Sequence, residues 1–122
     1  MARVAALVPD LLFGSRLLAD LRAAGHDAAL VADEDALRRW LAAPGRGPQV
    51  VVVDLTAEVP GRLELVGRLR AEGNLDAIAT IAFYSHVDVD TRRMAEQADF
   101  DLVVPRSRVA REGAALVGQV LT

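Results

Sequence analysis

Four consecutive valines and an aspartate, Val50 to Val53 and then Asp54, restrict the fold more than any other stretch of the chain. A half-exposed strand alternates apolar and polar side chains. A strand without alternation needs apolar cover on both faces, which is the situation at the centre of a parallel sheet. Four further apolar runs, at residues 3–8, 27–31, 77–84 and 102–104, accompany the run at 49–54. A stretch with helical spacing follows each of the five. Alternation of this kind predicts five parallel strands with helices packed on both faces, a three-layer α/β sandwich.

Helix punctuation agrees with that order. Residues 14–24 carry Leu17, Leu18 and Leu21 and stop at Gly25. Asp33 can cap a helix with Ala36, Leu37, Trp40 and Leu41 that ends at Pro44 and Gly45. Pro60 can open a third helix with Leu63, Val66 and Leu69, closed near Gly73. Asp88 or Asp90 can cap a short fourth helix containing Met94, Ala95 and Ala98. Ser107 can cap a fifth with Val109, Leu116, Val117 and Val120. The segment from Pro44 to Pro48 reads as an ordinary loop, so a single domain over residues 1–122 is expected.

Composition removes several classes of function. There is no cysteine, hence no disulfide, thiol catalysis or cysteine-held metal. All 14 basic residues are arginine, and the formal charge is −3, which gives no global attraction to nucleic acid or anionic membrane. No apolar run nears the roughly 20 residues of a membrane span, and no secretion signal is visible, so a cytoplasmic protein is expected. No G-x-G-x-x-G or G-K-[ST] loop occurs, and a Walker-type loop would lack its lysine.

Sites in such sheets lie beyond the carboxyl ends of the strands. Around those ends the chain resembles the receiver domain of bacterial response regulators, over nearly its whole length. Receivers commonly read G-A-x-x-Y-L-x-K-P at the fifth strand. Here the corresponding residues are Gln97, Ala98, Asp99, Phe100, Asp101, Leu102, Val103, Val104 and Pro105. The stretch Ile81-Ala82-Phe83-Tyr84-Ser85-His86 is similar to the fourth strand with its terminal hydroxyl residue. Val50 to Asp54 is similar to the third strand with its phosphoacceptor. The resemblance implies the flavodoxin-like receiver fold, with a five-stranded parallel sheet in order 2-1-3-4-5. It makes Asp54 the candidate phosphoacceptor and Ser85 the candidate phosphate contact.

The departures are chemical. Receivers hold Mg²⁺ with two acids after the first strand, and a lysine binds the phosphoryl oxygens. The cation and the ammonium offset the repulsion between a carboxylate and an anionic phosphoryl group. Here Val8 and Pro9 occupy the acid positions, Asp10 follows one place later, and Val104 stands at the lysine position. Asp101 replaces the aromatic of the fifth strand, and His86 replaces a small residue. Thr56, Ala57, Glu58 and Val59 stand where a Met-Pro step is common. The chain therefore resembles a degenerate receiver. Asp10, Thr56, His86, Val104 and Arg106 are expected around its mouth, and Mg²⁺ is expected only if Asp10 reaches the Asp54 pocket.

Competing uses of these residues are weighed on the same ground. Asp54 can simply cap backbone N–H groups of the next loop. Asp54 and His86 could form a pH-sensitive pair. A Ser85-His86-Asp54 triad is disfavoured, because consecutive residues on extended chain point apart and no nucleophile elbow is present. The aspartates of His86-x-Asp88-x-Asp90 serve more simply as helix caps than as a metal site, and Asp10 reads as a turn residue. His26 reads as a surface loop residue. Flavin lacks evident stacking partners beyond Trp40 and Tyr84, and cobalamin lacks its D-x-H-x-x-G signature.

One surface carries mixed charge: Arg92, Arg93, Glu96, Gln97, Asp99, Asp101, Arg106, Arg108, Arg111 and Glu112. Such a face suits a two-fold contact between copies or a protein partner. The expectation for function is a non-enzymatic, receiver-like protein-interaction module of two-component type, without Mg²⁺-dependent phosphorylation. The alternatives are a phosphorylatable regulator using Asp54, with Arg106 in place of lysine, and a small-ligand-binding flavodoxin-like domain.

Overall fold

The computed structural model describes residues 2–43, 45 and 47–122. Strands β1 (Arg3–Leu7), β2 (Asp27–Val31), β3 (Val50–Asp54), β4 (Ala79–Tyr84) and β5 (Leu102–Pro105) form one sheet in order β2-β1-β3-β4-β5. Every pairing is parallel. Helices α1 (Leu11–Ala23), α2 (Glu34–Leu41), α3 (Val59–Ala71), α4 (Val89–Glu96) and α5 (Arg106–Val120) alternate with the strands. This is the flavodoxin-like receiver architecture.

The valine run explains how the layers meet. Val50 and Val52 point into a core shared with Leu17 and Leu21 of α1 and Val109, Leu116 and Val117 of α5. Val51 and Val53 point the other way, into a core shared with Leu37 of α2, Leu65, Val66 and Leu69 of α3, and Ala95 of α4. Period-two alternation is thus present in β3, with both faces apolar. On the first face α1 and α5 meet closely. A Cβ added at Gly113 would lie 2.8 Å from Leu17 Cδ1, so any larger residue there requires the Leu17 side chain to move.

Several boundaries differ from the sequence reading, each for a local reason. Helix α1 starts three residues before Gly14, because the Asp10 side chain accepts hydrogen bonds from the N–H groups of Leu12 and Phe13. Asp10 is a helix cap, not a free turn residue. Helix α5 starts at Arg106 with Pro105 at the N-cap, so Ser107 lies inside the first turn and caps nothing. Asp88, not Asp90, caps α4 through Thr91. Residue Ala77 has φ +63° and sits outside β4, which begins at Ala79. Helix α4 buries Thr91 and Ala95 while Met94 is exposed, so its apolar face is narrower than expected. His26 is half-buried, and its Nδ1 accepts the Ala2 N–H at 3.1 Å, tying the start of β1 to the α1–β2 turn.

The expected stop of α2 at Pro44 and the central Arg46 of the following loop lie outside the described residues. Among those described, no helix is long and apolar enough to cross a membrane.

Candidate functional site

Asp54 is the last residue of β3, beside Phe83 of β4, and only 6% of it is exposed. Its Oδ1 accepts the Thr56 N–H at 2.8 Å and the Thr56 hydroxyl at 2.6 Å. An aspartate that ends a strand and gathers donors from two residues ahead forms an Asx-type turn. The loop-capping role expected for Asp54 is therefore present. Its Oδ2 accepts nothing among the described residues and stays open to a cleft of about 470 Å³.

Asp10 and Thr56 line that cleft with Asp54, together with Glu58 and Arg62. Asp10 thus reaches the pocket, but its carboxylate is already engaged. One oxygen, Oδ1, serves the first turn of α1, and Oδ2 accepts from the Arg106 guanidinium at 3.2 Å. Arg106 also stacks 4.5 Å over the Phe13 ring, which leans on Phe83 of the core at 5.1 Å. Cap, cation and aromatic ring tie the start of α1 to the start of α5 beside the mouth.

That arrangement does not fit a divalent cation. Mg²⁺ asks for freely oriented oxygens in near-octahedral geometry, and of the three carboxylates lining the cleft, Asp10 is bound to N–H groups and a guanidinium and Asp54 gives one oxygen to Thr56. Among the described residues, no group of three or more His, Asp or Glu side chains is gathered closely enough to hold a metal ion.

The opposite wall is formed by the start of α3. Glu58 precedes this helix with φ +54° and makes no side-chain capping bond. Pro60 occupies the second helical position, where a missing N–H is tolerated. Arg62 is 9% exposed, and its side chain has no hydrogen bond or ion pair among the described residues. Its nitrogens are nonetheless reached from the cleft. Sequence reasoning overlooked Arg62, although a signal existed. It shares a helical stripe with Leu65, Val66 and Leu69, all buried, and is the one charged member of that stripe.

Other expected mouth residues are dispersed. Ser85 and His86 border a second opening with Thr56, Phe13 and Arg106, on the far side of Thr56 from the Asp54 cleft. No hydrogen bond or ion pair joins Asp54 to His86 or Ser85 among the described residues, so neither the pH-sensitive pair nor a triad is assembled. Val104 is 1% exposed within the α1–α5 core and is not a mouth residue, because its β5 position faces that core. Asp88 spends both carboxylate oxygens on Thr91, whose hydroxyl and N–H hold its carboxyl below the usual aspartate range. Trp40 stacks with Arg3 at 4.8 Å, at the start of β1 and away from the mouth.

On the mixed-charge face, pairs form within the chain. Arg92 meets Glu96 at 3.6 Å, and Arg108 and Arg111 meet Glu112 at 3.4 and 3.8 Å. Asp101 is turned inward at the edge of the sheet, where its carboxylate accepts the Thr80 N–H at 2.7 Å. The Asp99 carbonyl accepts from Arg70 at 2.9 Å.

No family model and no curated protein sequence matches the chain. Solved structures do. The receiver domain of the TMAO respiratory system response regulator TorR superposes with a TM-score of 0.83 at 16% identity, covering 99% of this chain and 97% of that one. The receiver domain of the Francisella response regulator 1452 gives 0.80 at 12% identity, over 98% and 96%. The Vibrio cholerae chemotaxis protein CheY4 gives 0.79 at 16% identity, over 98% of each. At these identities the likeness is one of fold.

Proposed function

We propose that this chain is a non-enzymatic signalling module of receiver type that works by binding proteins, without Mg²⁺-dependent phosphorylation of Asp54. The observation that carries this reading is the engagement of Asp10, whose two oxygens serve the α1 N-terminus and Arg106. Placement of Val104 in the core supports it, since the ammonium of a working receiver has no counterpart there. Binding, not phosphoryl charge, then sets the state of the module. Its contact face is the charged surface of Arg92, Arg93, Glu96 and Asp99 with Arg108, Arg111 and Glu112, which suits a second copy or a protein partner in the cytoplasm. The residues 1–122 act as one domain.

A second reading has one observation in its favour: the free Oδ2 of Asp54 opens into the cleft that Asp10 also lines. In that reading Asp54 accepts a phosphoryl group and Arg106 replaces the lysine. One experiment separates the two. The protein is titrated with MgCl₂ and then treated with a small acyl phosphate, followed by amide NMR and intact mass. The first reading expects no saturable shift around Asp54 and no added phosphoryl mass. A shift and a mass gain that both vanish in Asp54→Asn establish the second and overturn the first.

A further inference from the structure

Opposite charges four residues apart on a helix stand close enough to pair. On the mixed-charge face they do so within the chain, Arg92 with Glu96 and Arg108 with Glu112. Helix α1 carries the same spacing in Arg16 and Asp20, yet neither side chain makes an ion pair or hydrogen bond among the described residues. Both are exposed and line a groove of about 350 Å³ between α1 and α5, over a floor that includes Phe13 and Leu17. Arg16 belongs to an outward stripe with Leu12, Ala19 and Ala23, whose spacings of four, three and four residues put them on one side of the helix. All four are exposed, Leu12 at 69%. Asp20 flanks that stripe on the side of α5.

We propose that α1 pairs antiparallel with α1 of a second copy, across a two-fold axis level with Leu17 and Leu18. In that register Leu12 of one copy meets Ala23 of the other, and the Arg16 stem crosses Ala19. The two alanines let the helix axes approach to about 8 Å. A two-fold rotation keeps the α5 side of both copies on the same side of the contact. Arg16 of each copy therefore comes level with Asp20 of the other, and two ion pairs form between copies from charges that have no partner within one. Sliding the helices until Arg16 meets Arg16 sets like charges against each other, so the charges fix the register as well as the partner. The contact is separate from the face of Arg92, Arg108 and Glu112 and from the Asp54 cleft. It leaves both open while the copies are joined.

The test is sedimentation velocity of the full chain at low salt. One helix face buries less than a standard interface, so the expected dimer is weak, with a midpoint on the order of 0.1–1 mM. Arg16→Asp and Asp20→Arg each place like charges opposite one another and should each weaken the dimer by at least about fivefold. An equimolar mixture of the two variants restores opposite charges at both contacts and should associate as wild type does. Leu12→Ser, which leaves the charges intact, should also weaken it. All three side chains are exposed, and circular dichroism checks that the variants fold. The proposal is overturned if wild type stays monomeric to about 2 mM, a result that needs no variant. It is equally overturned by a wild-type dimer that neither charge reversal weakens, or by folded variants whose mixture does not associate. A dimer that survives both α1 reversals and is lost in Arg108→Glu would move the contact to the charged face of the proposed function, so the two ideas fail separately.

Discussion

Arg62 lines the Asp54 cleft and Arg106 the neighbouring opening beyond Thr56, and their surroundings differ in every respect that matters to a cation. Arg106 is half-exposed, pairs with Asp10 and stacks on Phe13. Arg62 is nearly enclosed and meets no carboxylate at ion-pair distance among the described residues. The first arginine belongs to a closed set: the Asp10 cap, the guanidinium and an aromatic ring that leans on the core. The second is held in place by the packing of α3, with its charge unanswered. A protein that keeps a charge where an apolar residue would pack equally well gives up stability at that position, and such positions concentrate at binding sites. The Asp10–Arg106 side is thus closed by its own contacts, and the α3 side keeps a cation without a protein acceptor among the described residues.

The comparison is broken or upheld most directly by two substitutions of opposite expected sign, followed by urea unfolding. Asp10→Ala removes an N-cap and the partner of Arg106, and should cost about 1–2 kcal/mol, most of it from the cap because the ion pair is exposed. Arg62→Leu extends the stripe of Leu65, Val66 and Leu69 and removes an enclosed charge. It should raise stability by about 1 kcal/mol. Were Arg62→Leu to destabilise as much as Asp10→Ala, Arg62 would be a structural residue and the contrast would collapse. The next effect is smaller. Thr56→Val removes the hydroxyl donor to Asp54 Oδ1 and keeps the N–H, at about 0.5–1 kcal/mol. A midpoint equal to wild type in the same urea series would show that the hydroxyl does not restrain Asp54.

These contrasts also mark what could be read in the chain beforehand. The two-sided cover of β3 follows from the valine run, because burial on both faces leaves a pattern that is local and strong, whereas the strand order was implied by the receiver resemblance. Asp33 and Asp88 acted as the caps expected of them, since the capping bond is made within three residues. Misjudged features depend on distant partners or on competing local geometry. Leu11 and Leu12 are exposed, so apolar periodicity does not announce the first turn of α1, and Asp10 was left outside the helix. Ser107 looked like a cap, but Pro105 ends β5 already in an extended conformation that starts α5 one residue later. The loss of lysine chemistry at Val104 was legible from residue type alone. Its direction into the core was not, because that depends on the register of β5 against β4. Arg62 was legible as a charge on an apolar stripe, yet its lack of a partner is a property of the whole neighbourhood.

The smallest effect concerns how the α3 wall is held. Arg38 of α2 donates to Glu72, just past the end of α3, at 2.8 Å and to Glu34 at 2.8 Å, while Arg68 of α3 reaches Glu34 at 2.6 Å. The Arg38 hydrogen bond holds each of Glu34 and Glu72 below the usual glutamate range. A carboxyl that is more acidic in the folded state contributes stability that is complete above its unfolded value, about pH 4.3, and fades as pH falls through the folded value. Glu72 and Arg68 are solvent-exposed and Glu34 and Arg38 half-exposed, so salt screens the network and its contribution is modest even at neutral pH. The measurement is the difference in melting temperature between wild type and Arg38→Gln, followed from pH 7 down to about pH 3. The difference should be largest at neutral pH and low salt and should close toward zero on the acid side. A difference independent of pH would assign Arg38 a packing role, and α3 would then be fixed against α2 by apolar contact, as firmly as the Asp10 wall is fixed by its cap.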